Sequence, residues 1–165
     1  EGGERLSIPC SISMRDEAAI YVAITKKAEY AITILLDLAF QPSDRFTTAR
    51  EIAERQGVPD TFVPQIVSML SRVGWLEAIR GPGGGVRLDV DPEELSVLEV
   101  IEAIDGPITI TRCLLDDNTT CSNRPLCPLH NVWVEAQAAM LKVLDDTTIS
   151  DLVESKQALV DRTGA

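Results

Sequence analysis

Residues 49–88, AREIAERQGVPDTFVPQIVSMLSRVGWLEAIRGPGGGVRL, change their hydrophobic period within forty positions. Thr48, just ahead of the stretch, stands three residues before Glu51, the spacing of a capping box, and Gly57 supplies a C-terminal stop. In the next segment Phe62, Ile66, Met69, Leu70 and Val73 fall on one helical face that ends at Gly74. Pro64 must lie in the first turn of this helix, because deeper it removes a backbone bond and clashes; Asp60 or Thr61 is the expected cap. After Gly74 the period drops to two. Two short alternating runs flank Gly-Pro-Gly-Gly-Gly and predict a β-hairpin. Two helices joined by a short turn, then a hairpin, make a winged helix-turn-helix, in which the second helix enters a DNA major groove.

Working outward, Thr25 is a plausible cap for an earlier helix with Ala28, Ala31, Ile32, Leu35, Leu36 and Ala39 at helical spacing. Downstream, Ser96 and Glu99 open a capped helix, SVLEVIEAID, closed by Gly106-Pro107. Residues 129–145 predict a long helix whose apolar face draws on Leu129, Val132, Val134 or Trp133, Ala136, Met140, Val143 and Leu144. The run TISDLVESKQALV adds a short last helix. Residues 1–18 show no periodicity and read as an N-terminal extension, in which Met14 is a candidate natural start and Cys10 has no assigned role. The expected organisation is therefore an extension (1–18), a winged helix-turn-helix domain (19–91), a linking helix and cysteine loop (92–128), and a dimerisation helix with a C-terminal tail (129–165). The fold class is mainly α, with a small β-hairpin wing.

Composition agrees with this. Apolar residues make up 45% of the 165 residues and aromatics only 4%, so the core is aliphatic, which suits helices. No apolar run approaches the length of a membrane span, and the basic-then-apolar pattern of a signal peptide is missing, so a cytoplasmic location without membrane partners is expected. The net charge of −11 argues against a nucleic-acid binder until its distribution is considered. Residues 45–87 carry six arginines against four acids, whereas residues 88–165 carry five basic and fifteen acidic side chains. Any polyanion contact falls to the middle segment, with Lys26 and Lys27 in support. On the second helix of the pair, Thr61, Gln65, Ser68 and Arg72 share the face away from the apolar stripe. Gln pairs bidentately with adenine, and Ser and Arg reach phosphates or bases. Arg80 and Arg87 flank a wing tip containing Gly83 and Gly84, placed to grip phosphates or straddle a minor groove.

The other concentration of chemistry is RCLLDDNTTCSNRPLCPLH, residues 112–130, with three of the four cysteines and the single histidine. Seven residues separate Cys113 from Cys121, five separate Cys121 from Cys127, and His130 follows after two more. Thiolates hold zinc or iron–sulfur clusters, and imidazole substitutes at one position. Zinc favours tight Cys-x-x-Cys knuckles; these longer spacings suit a cluster wrapped by a loop, although spacing alone leaves zinc open. Pro128 fits the first position of the next helix, which makes Cys127 its cap and directs free N–H groups at a thiolate. Arg112 and Arg124 offset negative charge there, while Asp116 and Asp117 add to it.

The segments ITKKAEYAITILLDLA, IRGPGGGVRL and LSVLEVIEAIDGPI, together with the cysteine spacing, resemble the bacterial winged-helix iron–sulfur regulators that include IscR, NsrR and RirA, over residues 24–153. The resemblance implies a homodimeric transcription factor that binds double-stranded DNA at a palindromic operator and senses iron–sulfur status, redox state or nitric oxide through a cluster. The seven-then-five pattern occurs in that family and favours an iron–sulfur cluster over zinc. Cys113, Cys121 and Cys127 would be ligands. His130 matches the histidine ligand of the IscR branch and is the preferred fourth, implying a 2Fe–2S centre. Glu29 matches the acidic ligand that other branches supply from the partner subunit, implying 4Fe–4S. Pro64 departs from the IscR branch, which has an acidic residue there, and implies different operator selectivity. The rival readings are a DNA-binding regulator with a structural zinc site, and a thiol enzyme using His130; the second is disfavoured because no oxyanion motif accompanies it.

Overall fold

The structure, a computed structural model, describes residues 24–114 and 126–164. Residues 1–18, Cys10, Asp116, Asp117, Cys121 and Arg124 lie outside that range. The first helix, α1 (Lys26–Ala39), is capped by Thr25, whose hydroxyl accepts from the Ala28 N–H. The Thr25 backbone N–H and hydroxyl in turn donate to the Asp105 carboxylate at 3.0 and 2.7 Å. Asp105 thus brings negative charge to the positive end of α1. The expected apolar stripe of α1 is present but widened, since Ile34 and Leu38 are buried alongside Ala28, Ala31 and Leu35. The physical reason is its central place among the elements introduced next.

Two short helices, α2 (Ala49–Gln56) and α3 (Val63–Val73), pack against α1. The Thr48–Glu51 capping box of α2 is formed in both directions, and Gly57 closes the helix in the left-handed region at φ 63°. Hydrogen bonds from Thr48 hold the Glu51 carboxyl below its ordinary range. Pro64 sits in the first turn of α3, as its missing N–H requires. The cap, however, is neither Asp60 nor Thr61. It is Phe62, which has no side-chain acceptor for the helix N–H groups, so Asp60 and Thr61 belong to the preceding turn. Phe62 instead stacks edge-on against Tyr30 of α1, 5.6 Å between centroids, so apolar packing fixes this end of the helix. The core face of α3 is also rotated from expectation: Val63, Ile66 and Leu70 are buried, while Val73 is 49% exposed.

The hairpin consists of β1 (Leu76–Ile79) and β2 (Gly85–Leu88), antiparallel with Leu76 opposite Leu88 and Ile79 opposite Gly85. Thr47 extends it, exchanging two 2.8 Å backbone bonds with Val86. A side chain at Gly85 would place its Cβ 2.6 Å from the Thr47 carbonyl oxygen, so this approach requires glycine. The wing is thereby fastened to the residue that precedes α2's cap.

The remaining helices are α4 (Val97–Asp105), α5 (Leu129–Asp145) and α6 (Ile149–Thr163). The Ser96–Glu99 capping box and the Gly106 stop of α4 form as read. The last helix is longer than the short one expected, because Thr148 and Asp151 form a further capping box and Gly164 ends it. Its start is tied to that of α4 through Val97 N–H to Thr147 O and Ile149 N–H to Leu95 O, both 2.9 Å, and it packs along α1. Between these, α5 has no buried residue. Leu144 near its end joins a small cluster with Ala28, Val97 and Ile101, while Leu129, Val132, Trp133 and Val143 remain 38–65% exposed.

Asp37, 3% exposed, accepts from Arg55 at 3.0 and 2.6 Å and from Gln56 at 2.7 Å, which locks α1 to the end of α2. The Arg55 side chain is 32% exposed, so loss of Asp37 leaves a cation that turns to water, whereas loss of Arg55 strands a buried carboxylate. Replacing Arg55 with Met is expected to cost about 3–5 kcal/mol in urea unfolding. Asp37→Asn, which leaves no buried charge unpaired, is expected to cost less.

Candidate functional site

The two faces of chemistry read from the sequence lie on different elements. On the α3 side, Thr61, Gln65, Ser68 and Arg72 are all exposed, Thr61 in the turn and the others along the helix, with Arg80 at the start of the wing turn. Among the described residues Arg72 and Arg80 make no ion pair. The wing turn has its own constraint: Gly81 and Gly83 have φ of 108° and 78°, and a Cβ on Gly84 would lie 2.2 Å from the Ile79 carbonyl oxygen. Gly83 and Gly84 thus shape the tip that carries Arg80, a role additional to close approach.

Arg87 behaves differently from Arg80. It pairs with Glu77 across the hairpin at 2.6 Å, lies 5.0 Å over the Phe46 ring, and is only half-exposed. Sequence proximity to the tip pairs the two arginines, but strand alternation turns Arg87 onto the hairpin's face. Arg45 is bonded to Glu51 and Gln41, and Arg55 to Asp37. Three of the six arginines in the basic segment are therefore paired with other elements of the fold, which the charge count alone does not reveal. On α1, Lys26 is exposed and paired with Glu29, whose carboxylate keeps the ammonium pKa above its ordinary value, while Lys27 is half-buried.

The second face centres on α5. Cys113 lies in a short 3-10 turn (Arg112–Leu114) that packs on α5, its sulfur 3.5 Å from the Thr111 hydroxyl. The Ile110 N–H donates to the Gln137 side chain at 3.1 Å, anchoring this strand of chain to the middle of α5. Gln137 carries no cofactor chemistry, and its only sequence signal is a polar residue amid Ala and Val. Cys127 is half-buried and free, as is Cys113. It is not the cap of α5: Pro128 occupies the cap position in helical conformation, so Cys127 stands one residue outside it. The cause is that the helix begins at Leu129 rather than at Pro128. The Cys127 carbonyl, not its sulfur, meets a helix N–H, accepting from His130 at 3.3 Å.

His130 shares a groove of roughly 310 Å³ with Leu114, Val134, Gln137, Ala138 and Leu141. Its Nδ1 is buried and has no hydrogen-bond partner among the described residues. A buried imidazole nitrogen of this kind ordinarily finds a donor, an acceptor or a metal. Two free thiols and an unsatisfied imidazole nitrogen are a donor set suited to a thiolate-ligated metal or cluster. The structure thus brings the turn carrying Cys113 against the helix carrying His130, with Cys127 three residues ahead. Among the described residues no three-ligand metal group is complete; Cys121 falls outside them. Glu29 lies on α1 with its carboxylate engaged by Lys26.

A winged helix-turn-helix with an exposed reader helix, joined to a separate cysteine and histidine site, defines a DNA-binding regulator. Residues 24–155 match the Rrf2 family, described as "Iron-dependent Transcriptional regulator", and the chain belongs to that family. It is 31% identical over 137 residues to the HTH-type transcriptional regulator NsrR of Bacillus subtilis, covering 83% of this chain and 94% of that one. It is 32% identical over 130 residues to the HTH-type transcriptional regulator IscR of Aliivibrio salmonicida, covering 79% and 76%. Among solved structures it is similar to CymR, the global cysteine regulator of B. subtilis, with a TM-score of 0.67, 28% identity, and coverage of 81% and 97%. These similarities make the protein a transcriptional regulator and not an enzyme. Among the described residues no helix is long and apolar enough to cross a membrane.

Two substitutions separate wing shape from wing charge. Gly84→Ala forces a methyl against a backbone carbonyl and is expected to lower unfolding stability by about 1–3 kcal/mol and to weaken duplex binding. Arg80→Ala removes only an exposed cation. Its thermal unfolding should match the parent while duplex affinity falls, as measured by fluorescence anisotropy.

Proposed function

We propose that this chain is a homodimeric regulator that binds a palindromic operator and senses iron–sulfur status, redox state or nitric oxide through a cluster held by Cys113, Cys121, Cys127 and His130. The observation that carries the cluster reading is the buried Nδ1 of His130, which has no hydrogen-bond partner among the described residues, on the helix α5 against which the Cys113 turn packs. The family's description as iron-dependent and the names of its NsrR and IscR relatives support it. A bound cluster supplies a centre whose oxidation or loss changes local charge. The chain's own contribution is to hold thiolates at both ends of residues 113–127, to present one imidazole nitrogen, and to join this region to α5 through the Ile110–Gln137 bond. A 2Fe–2S centre is favoured with His130; Glu29 of a partner subunit is the alternative ligand, and it requires Lys26 to release it.

The partner is a second copy. Leu129, Val132, Trp133, Ala136, Met140 and Val143 recur at three- and four-residue steps along α5, and four of the six are large exposed hydrophobics. An apolar stripe of this length on a helix with no buried residue is suited to pairing with its own copy. The two-fold axis would then present two copies of Gln65, Ser68 and Arg72 to successive major grooves.

Anaerobic reconstitution followed by visible absorption tests the cluster. The expected result is an iron–sulfur spectrum that changes in His130→Ala and persists in Glu29→Ala. A colourless, zinc-containing protein would overturn the sensor reading and leave a structural zinc site. For assembly, Val132→Glu with Trp133→Glu is expected to convert a dimer to a monomer in sedimentation equilibrium with the helical circular dichroism retained.

A further inference from the structure

The six arginines of residues 45–87 divide into three groups. Arg45, Arg55 and Arg87 are committed to the fold, and Arg72 and Arg80 belong to the reader helix and wing already described. Arg50 fits neither set. It lies in the first turn of α2, its side chain is 85% exposed, and its Nε is 2.7 Å from Glu54 Oε1, one turn further along the same helix. Together with Ala49, Glu54 and Asp60 it lines an open groove between α2 and the turn that leads into α3. The two carboxylates raise the Arg50 pKa, Glu54 by its hydrogen bond and Asp60 through space.

The placement has a consequence for DNA. In a helix-turn-helix the second helix enters the major groove while the first crosses the backbone beside it. The groove between α2 and the start of α3 therefore faces a phosphate when α3 is docked. Glu54 and Asp60 repel that phosphate, and among the described residues Arg50 is the cation lining the groove. An exposed i,i+4 pair is weak in water, so the guanidinium exchanges partners at little cost. A phosphate offers it two charge-assisted bonds in place of one carboxylate contact.

We propose that Arg50 is a phosphate-binding residue of this protein, held by Glu54 when DNA is absent and transferred to the backbone at the edge of the major groove when α3 docks. Glu54 and Asp60 are competitors that set how strongly this contact adds to affinity. The proposal rests on the DNA-reading role of α3, and a phosphate contact carries no sequence information of its own.

The test is binding of the full chain to a pool of 40-base-pair random duplexes, titrated from low to moderate salt. Arg50→Ala is expected to weaken binding roughly 3- to 10-fold near 100 mM salt and to reduce the slope of log K against log salt by about one per bound protomer. Glu54→Gln and Asp60→Asn are each expected to strengthen binding about two- to threefold. Recovery of the tight-binding sequences should show the Arg50→Ala loss spread evenly over them. An unchanged affinity and slope in Arg50→Ala, with the parent binding normally, would overturn the phosphate assignment. A loss confined to particular sequences would also overturn it, by making Arg50 a base contact. If the parent itself failed to bind the pool at low salt, the DNA-reading role of α3 would fall first, and Arg50 with it.

Discussion

A buried carboxylate on α1 has to be answered from another element, and in this protein the answer comes from the last turn of α2. Asp37 receives both arms of Arg55 and the amide of Gln56. A buried charge left unpaired is far more costly than the pair is stabilising, so this contact acts mainly as a constraint. It admits one rotation of α2 about α1. With α2 fixed, the Gly57 turn determines where α3 begins, and Thr47, just before α2, determines where β2 can run. The reader helix and the wing thus inherit their positions from a single carboxylate, with Phe62 against Tyr30 supplying the second, apolar point of attachment.

A similar economy links the region of Cys113 and His130 to the same helix. Asp105, the last residue of α4, closes the start of α1 through Thr25, and the start of α4 is bonded to the start of α6. The chain then passes through Gly106 to Ile110, whose N–H is held by Gln137 of α5. On the proposed ligand set, a change at Cys113 or His130 would bear on α5 and on the end of α4, and through Asp105 on the first turn of α1, where Lys26 and Glu29 are paired. Allosteric coupling requires two states with different DNA affinity. The connected groups along this route are the elements that such states would rearrange.

Much of this was legible in the sequence because its signals are local. Capping boxes at Thr48 and Ser96, glycine stops at Gly57, Gly74 and Gly106, and the glycine-rich turn depend on residues a few positions apart. What escaped was decided by distant partners. Asp37 and Arg55 are eighteen positions apart on different helices, and nothing in either helix's period marks them as a pair. Phe62 stands at the cap in place of Asp60 and Thr61, with its ring against Tyr30 of another helix. Pairing of the basic residues escaped for the same reason: Arg45 and Arg87 look free in sequence and are bonded to Glu51 and Glu77 in the fold.

The cysteine stretch shows the reverse case, where spacing was informative and local helix rules were not. Treating Pro128 as the first helical residue made Cys127 a cap with its thiolate under free N–H groups. The helix instead starts one residue later, with Pro128 at the cap, so Cys127 does not hold the capping position. What remains concerns a group that has no partner among the described residues. A thiol tolerates partial burial with no partner, as a small weakly polar group. An imidazole nitrogen buried beside Leu114, Val134 and Leu141 ordinarily takes a partner, and among the described residues that of His130 has none. The case for a metal-type centre at α5 therefore rests more on His130 than on any one cysteine, although the cysteines drew attention to it.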